Sequence, residues 1–172
     1  MSRAIATFGY VGLLRPAPGT WGSAAAIPAA WGLHLLGSFP LFFAATIAVF
    51  AIGWWATLKA TEGKEDHDPS EIVIDEVAGM WIALWPLSGG LWMMGADPWV
   101  FPWPGWVLAF ALFRLFDIWK PGPVGWADRK HNAFGVMMDD VIAGFIAALI
   151  VTAAGSFAHF GGLIMEYMAW TF

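Results

Sequence analysis

The stretch Asp139-Asp140-Val-Ile-Ala-Gly144-Phe-Ile-Ala-Ala-Leu-Ile-Val-Thr-Ala-Ala-Gly155 decides the fold class. Two adjacent carboxylates are followed by 25 residues, 141–165, without Asp, Glu, Lys or Arg. A hydrocarbon layer about 30 Å thick is crossed by roughly 17–25 apolar helical residues. Further uncharged intervals lie upstream: 43 residues between Arg15 and Lys59, 20 between Glu76 and Asp97, and 16 between Asp97 and Arg114. None shows the period-two alternation of a membrane β-strand. The reading is an all-α polytopic bundle with four to five transmembrane or re-entrant helices.

Composition points the same way. Of the 172 residues, 59% are hydrophobic and 12% charged, against about 25% charged in ordinary soluble domains. Mean hydropathy is +0.66. So few ionised groups cannot cover a water-facing surface, and the length suits one domain, 1–172. A net charge of −5 excludes a nucleic-acid footprint, which requires a basic face. The absence of cysteine removes disulfides, thiolate metal sites and Cys nucleophiles, and leaves the compartment open. The apolar stretch after Arg3 is short for a cleaved leader, so no removable segment is expected.

Punctuation divides the chain. Residues 1–20 are interrupted by Gly and Pro. Trp21–Leu36 is short and contains Pro28, so it reads as a crossing, a broken helix or a re-entrant piece. Gly37-Ser38-Phe39-Pro40 is a turn signal before an 18-residue span, Leu41–Leu58. A polar loop, 59–71, precedes a helix that starts near Glu71–Glu76 and ends near Gly95. Pro104 suits the first turn of a segment ending near Trp119, which Lys120-Pro121-Gly122-Pro123 stops. A polar loop over 120–138 then leads to the last span.

With five crossings, all eight Lys and Arg residues fall on one side, cytoplasmic by the positive-inside rule. Trp92, Trp99, Trp103 and Trp106 then form an aromatic belt on the other. Eleven of the thirteen acidic residues share the basic side. Among them Asp75-Glu76 and Asp139-Asp140 each open an outward-running helix. Gly79 follows Asp75 and Gly144 follows Asp140 by four residues, one turn along the same helix face. First-turn carboxylates complement the helix macrodipole by about 0.3–1 kcal/mol each, which is the structural reading of either pair. Two pairs converging would repel unless a cation stood between them. Oxygen ligands without thiolates suit Mg²⁺, held with waters and phosphate oxygens.

Arg114, Asp117 and Lys120 recur every three residues at the inner end of one helix and can share a face. They read either as a helix-end ion pair with an interfacial lysine or, grouped with Asp128, Arg129, Lys130 and His131 further on, as an anion clamp. Arg15 to Ser23 is a turn ahead of a possible helix start. Thr20 and Ser23 there are either caps or part of a phosphate site at a helix N-terminus. His67-Asp68-Pro69 is a loop turn or a metal-related segment, and His34 and His159 are packing residues.

Pro18-Gly19-Thr20-x-Gly22-Ser23, His67-Asp68 with Ile72-Val73-Ile74-Asp75-Glu76, Phe113-Arg114-x-x-Asp117-x-x-Lys120-Pro121, Asp128-Arg129 and Asp139-Asp140-x-x-Ala143-Gly144 occur in that order. Together, over residues 8 to 147, they resemble the phosphatidylglycerophosphatase A family of bacterial inner-membrane enzymes. The resemblance implies Mg²⁺-dependent hydrolysis of phosphatidylglycerophosphate to phosphatidylglycerol at the cytoplasmic side of the bilayer. On that reading Asp75, Glu76, Asp139 and Asp140 hold the metal, one ion or two. Arg114 and Lys120, with Thr20 and Ser23, take the phosphate, and Asp68, Asp117 or His67 orients or deprotonates water. Attack by water and a covalent aspartyl-phosphate both remain open. So do the oligomeric state and acyl-chain preference. Two other classes are an ion or proton pathway, which would want polar groups in both halves of the membrane, and a lipid-headgroup transferase, whose spaced aspartate motif is missing.

Overall fold

In the computed structural model, residues 1–63, 69–100, 102–130 and 132–171 are described, with side chains as far as residue 159. Six α-helices follow in order: α1 (Ser2–Ala6), α2 (Pro18–Thr61), α3 (Ile74–Met93), α4 (Trp103–Trp119), α5 (Pro123–Asp128) and α6 (Ala133–Thr171), with a 3₁₀ turn at Val11–Leu13. No strand occurs among the described residues. The all-α expectation stands.

The 44 residues of α2 are not one rod. Gly37 (φ −161°, ψ 22°) and Ser38 (φ 54°, ψ −157°) leave helical geometry and separate arms at 18–36 and 39–61. Ser38 takes up a positive φ that side chains other than glycine's rarely accept. The contacts show what this turn does. Gly22 packs on Val73, the Trp81 indole N–H donates to the Ala26 carbonyl at 2.8 Å, and His34 Nδ1 bonds Ser88 Oγ at 2.7 Å, so the first arm runs parallel to α3. Phe42 then stacks edge-on to Trp81, Trp85 bonds Thr46 Oγ1 at 3.2 Å, and Gly53 meets Ile74, so the second arm runs back. α2 is therefore a helical hairpin around α3. The 19 residues of the first arm rise about 28 Å, close to the 30 Å of a 20-residue helix such as α3. The open question over residues 21–36 resolves to an arm lying along nearly all of α3.

α4 descends beside α3, with Gly105 against Leu87 and Phe113 against Gly79. α6 ascends beside it, with Gly144 on Gly79 and the Phe145 ring 5.6 Å from that of Trp85. The starts of α2, α3 and α6 and the ends of α2 and α4 thus gather at one end. The bare surfaces of Gly79 and Gly144 set the α3–α6 separation. A Cβ on Gly144 would land on the Gly79 carbonyl oxygen, and one on Gly79 would lie 2.5 Å from the Asp140 carbonyl oxygen. Small residues allow such close approach where the surroundings give helices no hydrophobic reason to associate.

Two boundaries differ from the sequence reading. Residues 120–138 are not one loop: α5 occupies Pro123–Asp128 and α6 begins at Ala133. Consequently Asp139 and Asp140 do not open α6 but lie two turns inside it, and its first turn holds no acidic residue. The short α5 buries Val124, Gly125 and Ala127, which is what a polar-loop reading of that segment overlooks.

The lateral surface is apolar: Ile47, Ile52, Leu58, Val107 and Leu149 are exposed. α2 and the described part of α6 are long and apolar enough to cross a membrane. Trp92, Trp99 and Trp103 are exposed at the far end, where Trp31 meets Trp99 at 6.5 Å, while Trp106 is half-buried. Trp54, Trp55, Trp119 and Trp126 are exposed toward the other end, a second girdle that the sequence reading did not anticipate.

Candidate active site

The site lies where five chain segments end. The N-terminal segment holds the 69–73 stretch in place: Arg3 pairs with Glu71 at 3.0 Å, Val73 N–H donates to the Ala6 carbonyl at 2.9 Å, and Arg15 donates to Ser70 Oγ at 3.3 Å. From there α3 starts with Asp75 and Glu76 in its first turn.

One carboxylate oxygen from each of Asp75, Glu76 and Asp140 lies within 4.8 Å of the others. Asp75 and Asp140 are buried, and the Glu76 side chain is 15% exposed. The Gly79–Gly144 contact one turn further on causes this convergence, because it brings α3 and α6 too close for the side chains one turn earlier to avoid each other. Glu76 Oε2 is buried with no hydrogen-bond partner among the described atoms. Three clustered carboxylates, one with an orphaned oxygen, are oxygen donors that could hold a hard divalent cation, and their chemistry fits Mg²⁺.

Arg114 adjoins this trio. Its Nη1 pairs with Asp117, donates to Ser23 Oγ at 3.4 Å and stands 3.9 Å from Glu76 Oε1. Its Nε is buried without a partner. Asp117 also lies against Asp140, so it touches both the carboxylate trio and the guanidinium. The two readings of the Arg114–Asp117 pair therefore merge: it is an ion pair, and it is held at the mouth of a cleft.

That cleft, about 370 Å³, is walled by Ala17, Pro18 and Gly19 of the α2 start, Ser70, Ile72, Glu76, and Arg114, Asp117, Ile118 and Lys120 of α4's end. Pro18 stands in the first turn of α2 and the N-cap, Ala17, makes no side-chain cap bond. The first-turn N–H groups of a helix lack intrahelical acceptors, and here the turn that carries them forms a cleft wall. Gly19 leaves room for the two charged side chains, since a Cβ there would fall on Glu76 Oε1 and lie 3.2 Å from Arg114 Nη1, and both would have to shift.

Lys120, in left-handed conformation at the end of α4, pairs with Asp128 and donates to Asp139 at 3.0 Å. Burial pushes its ammonium pKa down, but the hydrogen bonds to Asp128 and Asp139 outweigh this and raise it. Lys120 is therefore cationic at any working pH and already engaged by two carboxylates.

The expected constellation is thus assembled with changes. Asp75, Glu76, Asp140, Arg114 and Asp117 come together. Asp139 does not join the trio; it faces Lys120, because its neighbour on the helix is turned by about 100°. Ser23 is no cap: its hydroxyl donates to the Gly19 carbonyl at 2.7 Å and accepts from Arg114, which positions the guanidinium. Thr20 lies in the first turn of α2, outside the cleft lining. Asp68 and His67 fall outside the described residues. Sequence reading gave no role to Gly19, which stood within a quoted motif, and grouped Asp128 with the anion clamp without identifying Lys120 as its partner.

The phosphatidylglycerophosphatase A family model matches residues 4–155. A protein named phosphatidylglycerophosphatase A from Haemophilus influenzae is 41% identical over 145 residues, 83% of this chain and 81% of that protein. One of the same name from Escherichia coli is 37% identical over 146 residues, 84% and 77%. A Bacteroides thetaiotaomicron protein, provisionally named a phosphatidylinositol-3-phosphatase, is 36% identical over 144 residues, 80% and 83%. No solved structure matches the chain. Family model and relatives agree over the stretch that builds the carboxylate trio and its arginine, and the chain belongs to the phosphatidylglycerophosphatase A family.

Proposed function

We propose that this protein hydrolyses phosphatidylglycerophosphate to phosphatidylglycerol and inorganic phosphate, at the cytoplasmic face of a bacterial inner membrane. The observation that carries the reading is the buried Asp75–Glu76–Asp140 trio beside Arg114 at a cleft walled by a helix start. Family membership supplies the substrate, since two relatives carry that enzyme's name. The hairpin of α2 makes five legs with α3, α4 and α6; four are near the bilayer's thickness, and α6, 39 residues long, exceeds it. In this reading all five cross, which puts every described Lys and Arg on the cytoplasmic side.

Asp75, Glu76 and Asp140 hold Mg²⁺ in this scheme. Bound there, the ion withdraws charge from the phosphoryl oxygens and lowers the pKa of a water molecule. The chain's own groups do the rest. Arg114, aligned by Asp117 and Ser23, binds the phosphate dianion and neutralises charge that grows in the transition state. The first turn of α2 offers backbone N–H groups to the same oxygens. Lys120 adds positive charge at the rim. Asp117 takes a proton from the attacking water as the new P–O bond forms. The bond from phosphorus to the glycerol oxygen breaks, that oxygen takes a proton from solvent to become the alcohol of phosphatidylglycerol, and Asp117 gives its proton back to solvent.

The test is phosphate release by the purified protein in detergent micelles. Phosphatidylglycerophosphate should be turned over with Mg²⁺, lose turnover with EDTA and regain it when Mg²⁺ is restored. Turnover that EDTA leaves intact removes the metal; none under any condition removes the activity. Phosphatidylinositol 3-phosphate belongs in the same assay, because one relative's name points to it. Its faster turnover would reassign the headgroup. An ion pathway has less support, since the described acidic cluster and its basic partners all stand at one end.

A further inference from the structure

α4 carries a feature that the phosphate chemistry does not use. Val107, Ala111, Leu115 and Ile118 recur at spacings of four, four and three, which places them on one helix face. All four are exposed, Leu115 at 52% and Ile118 at 70%. The strip ends inside the site, because Ile118 is a wall of the cleft beside Arg114 and Asp117. Ala111, small between Val107 and Leu115, leaves a shallow trough along the strip. Two other seams near the site are closed among the described residues. Gly79 and Gly144 close α3 against α6, and Gly53 against Ile74 and Met137 closes the second arm of α2. An apolar path thus runs from the phosphate-binding cleft up α4 into the level of the bilayer core.

We propose that the acyl chains of the lipid substrate lie along this Val107–Ala111–Leu115–Ile118 strip, beside the first arm of α2, while the phosphate occupies the cleft. The lipid enters sideways from the bilayer, and the strip is its tail-binding site. This rests on the lipid-monophosphate reading above. Continuity names the occupant: a phosphate held by Arg114 leaves its glycerol and chains next to Ile118, the apolar wall of the cleft from which the exposed α4 strip continues.

A photoreactive benzoylphenylalanine placed at Ile118, Leu115 or Leu149 tests it in the full-length protein in bilayer nanodiscs. Leu149, 72% exposed on α6, is the control for bulk lipid. The probe is a radiolabelled diacyl lipid phosphate monoester at trace level in phosphatidylcholine. Adduct at 118 and 115 should exceed that at 149 by about tenfold, and excess unlabelled lipid monophosphate should abolish the excess, as for a saturable site. Equal labelling at all three positions, or labelling that the competitor leaves unchanged, overturns the proposal. So does a protein–protein adduct in place of a lipid one, which would assign the strip to a second copy. Ala111→Trp fills the trough and should raise KM about tenfold with kcat unchanged, the signature of lost uniform binding; an unchanged KM counts against the strip. The two readings fail separately. Wild-type turnover without selective labelling refutes the strip alone. Selective labelling without turnover keeps the strip and refutes the hydrolase.

Discussion

Asp75-Glu76 and Asp139-Asp140 look like two copies of one device, yet the bundle uses them differently. At the start of α3 both carboxylates face the centre. On α6 the pair divides, Asp140 inward to the trio and Asp139 sideways to Lys120. Neighbours on a helix are about 100° apart, so a pair converges only if something compensates. For α3 the compensation is the extra methylene of Glu76 together with the bare Gly19 opposite, which leaves room for the carboxylate. For α6 no such room exists, and Lys120 takes the second charge instead. Adjacency in sequence identifies a carboxylate-rich helix end; the facing helix decides which oxygens meet.

The largest expected effect lies on Asp140. Replacing it by Asn removes a charge from the trio and should lower kcat by about 10²–10³-fold or more, the scale of losing one group that stabilises transition-state charge. A Mg²⁺ titration at constant lipid should show the activation midpoint moving to higher concentration, with the melting temperature held or raised. Unaltered turnover and Mg²⁺ dependence would break the assignment and leave Asp140 a structural residue.

Next comes the contact that brings the two pairs together. Gly144→Ala directs a methyl group at the Gly79 carbonyl oxygen, a backbone atom that cannot swing aside. The helices must separate, at an overpacking cost of about 1–3 kcal/mol. The trio opens with them, and misplacement by about 1 Å is worth up to 10²-fold in rate. Loss of activity in a protein that still inserts and elutes as a single species would show that the glycines position the carboxylates. Full activity would mean that the trio does not depend on this crossing.

Much of this was legible without coordinates. Uncharged intervals marked the long apolar helices, the Gly37–Pro40 turn was visible, and one-turn spacing from carboxylate to glycine foretold a close approach. What escaped depended on other elements. The start of α6 lay hidden in a polar-looking segment, so Asp139 and Asp140 read as first-turn residues when they lie two turns in. That correction matters, because macrodipole stabilisation fades beyond the first turn and cannot account for Asp140. Ser23 and Thr20 looked like caps since nothing local reveals that Ala17 is the N-cap. Gly19 carries no polar atom and becomes informative only when Glu76 is found opposite. Asp128, eleven residues before Asp139, is recognisable as its partner around Lys120 only once α5 folds back.

The smallest effect sharpens the comparison most, because Asp139 differs from Asp140 in its partner and hardly in its local sequence. In Asp139→Asn the ammonium of Lys120 remains paired with Asp128, and the trio keeps all three of its carboxylates. The loss in kcat should stay near tenfold, the lower end for groups that act through another residue, with the Mg²⁺ midpoint unmoved. The pH dependence separates this from mere damage. Burial opposes the charge on Lys120 and the two carboxylates sustain it, so its pKa stands above the ordinary value. The stability that it contributes is complete below the unfolded-state value, about 10.4, and is lost as pH rises through the folded one. With Asp139 neutral, burial regains ground and the folded value falls, so the alkaline limit of stability should move to lower pH. Asp140→Asn should shift the Mg²⁺ midpoint and leave that alkaline limit in place. If the two variants gave the same pair of profiles, Asp139 would belong with the trio after all, and the division of labour on α6 would vanish.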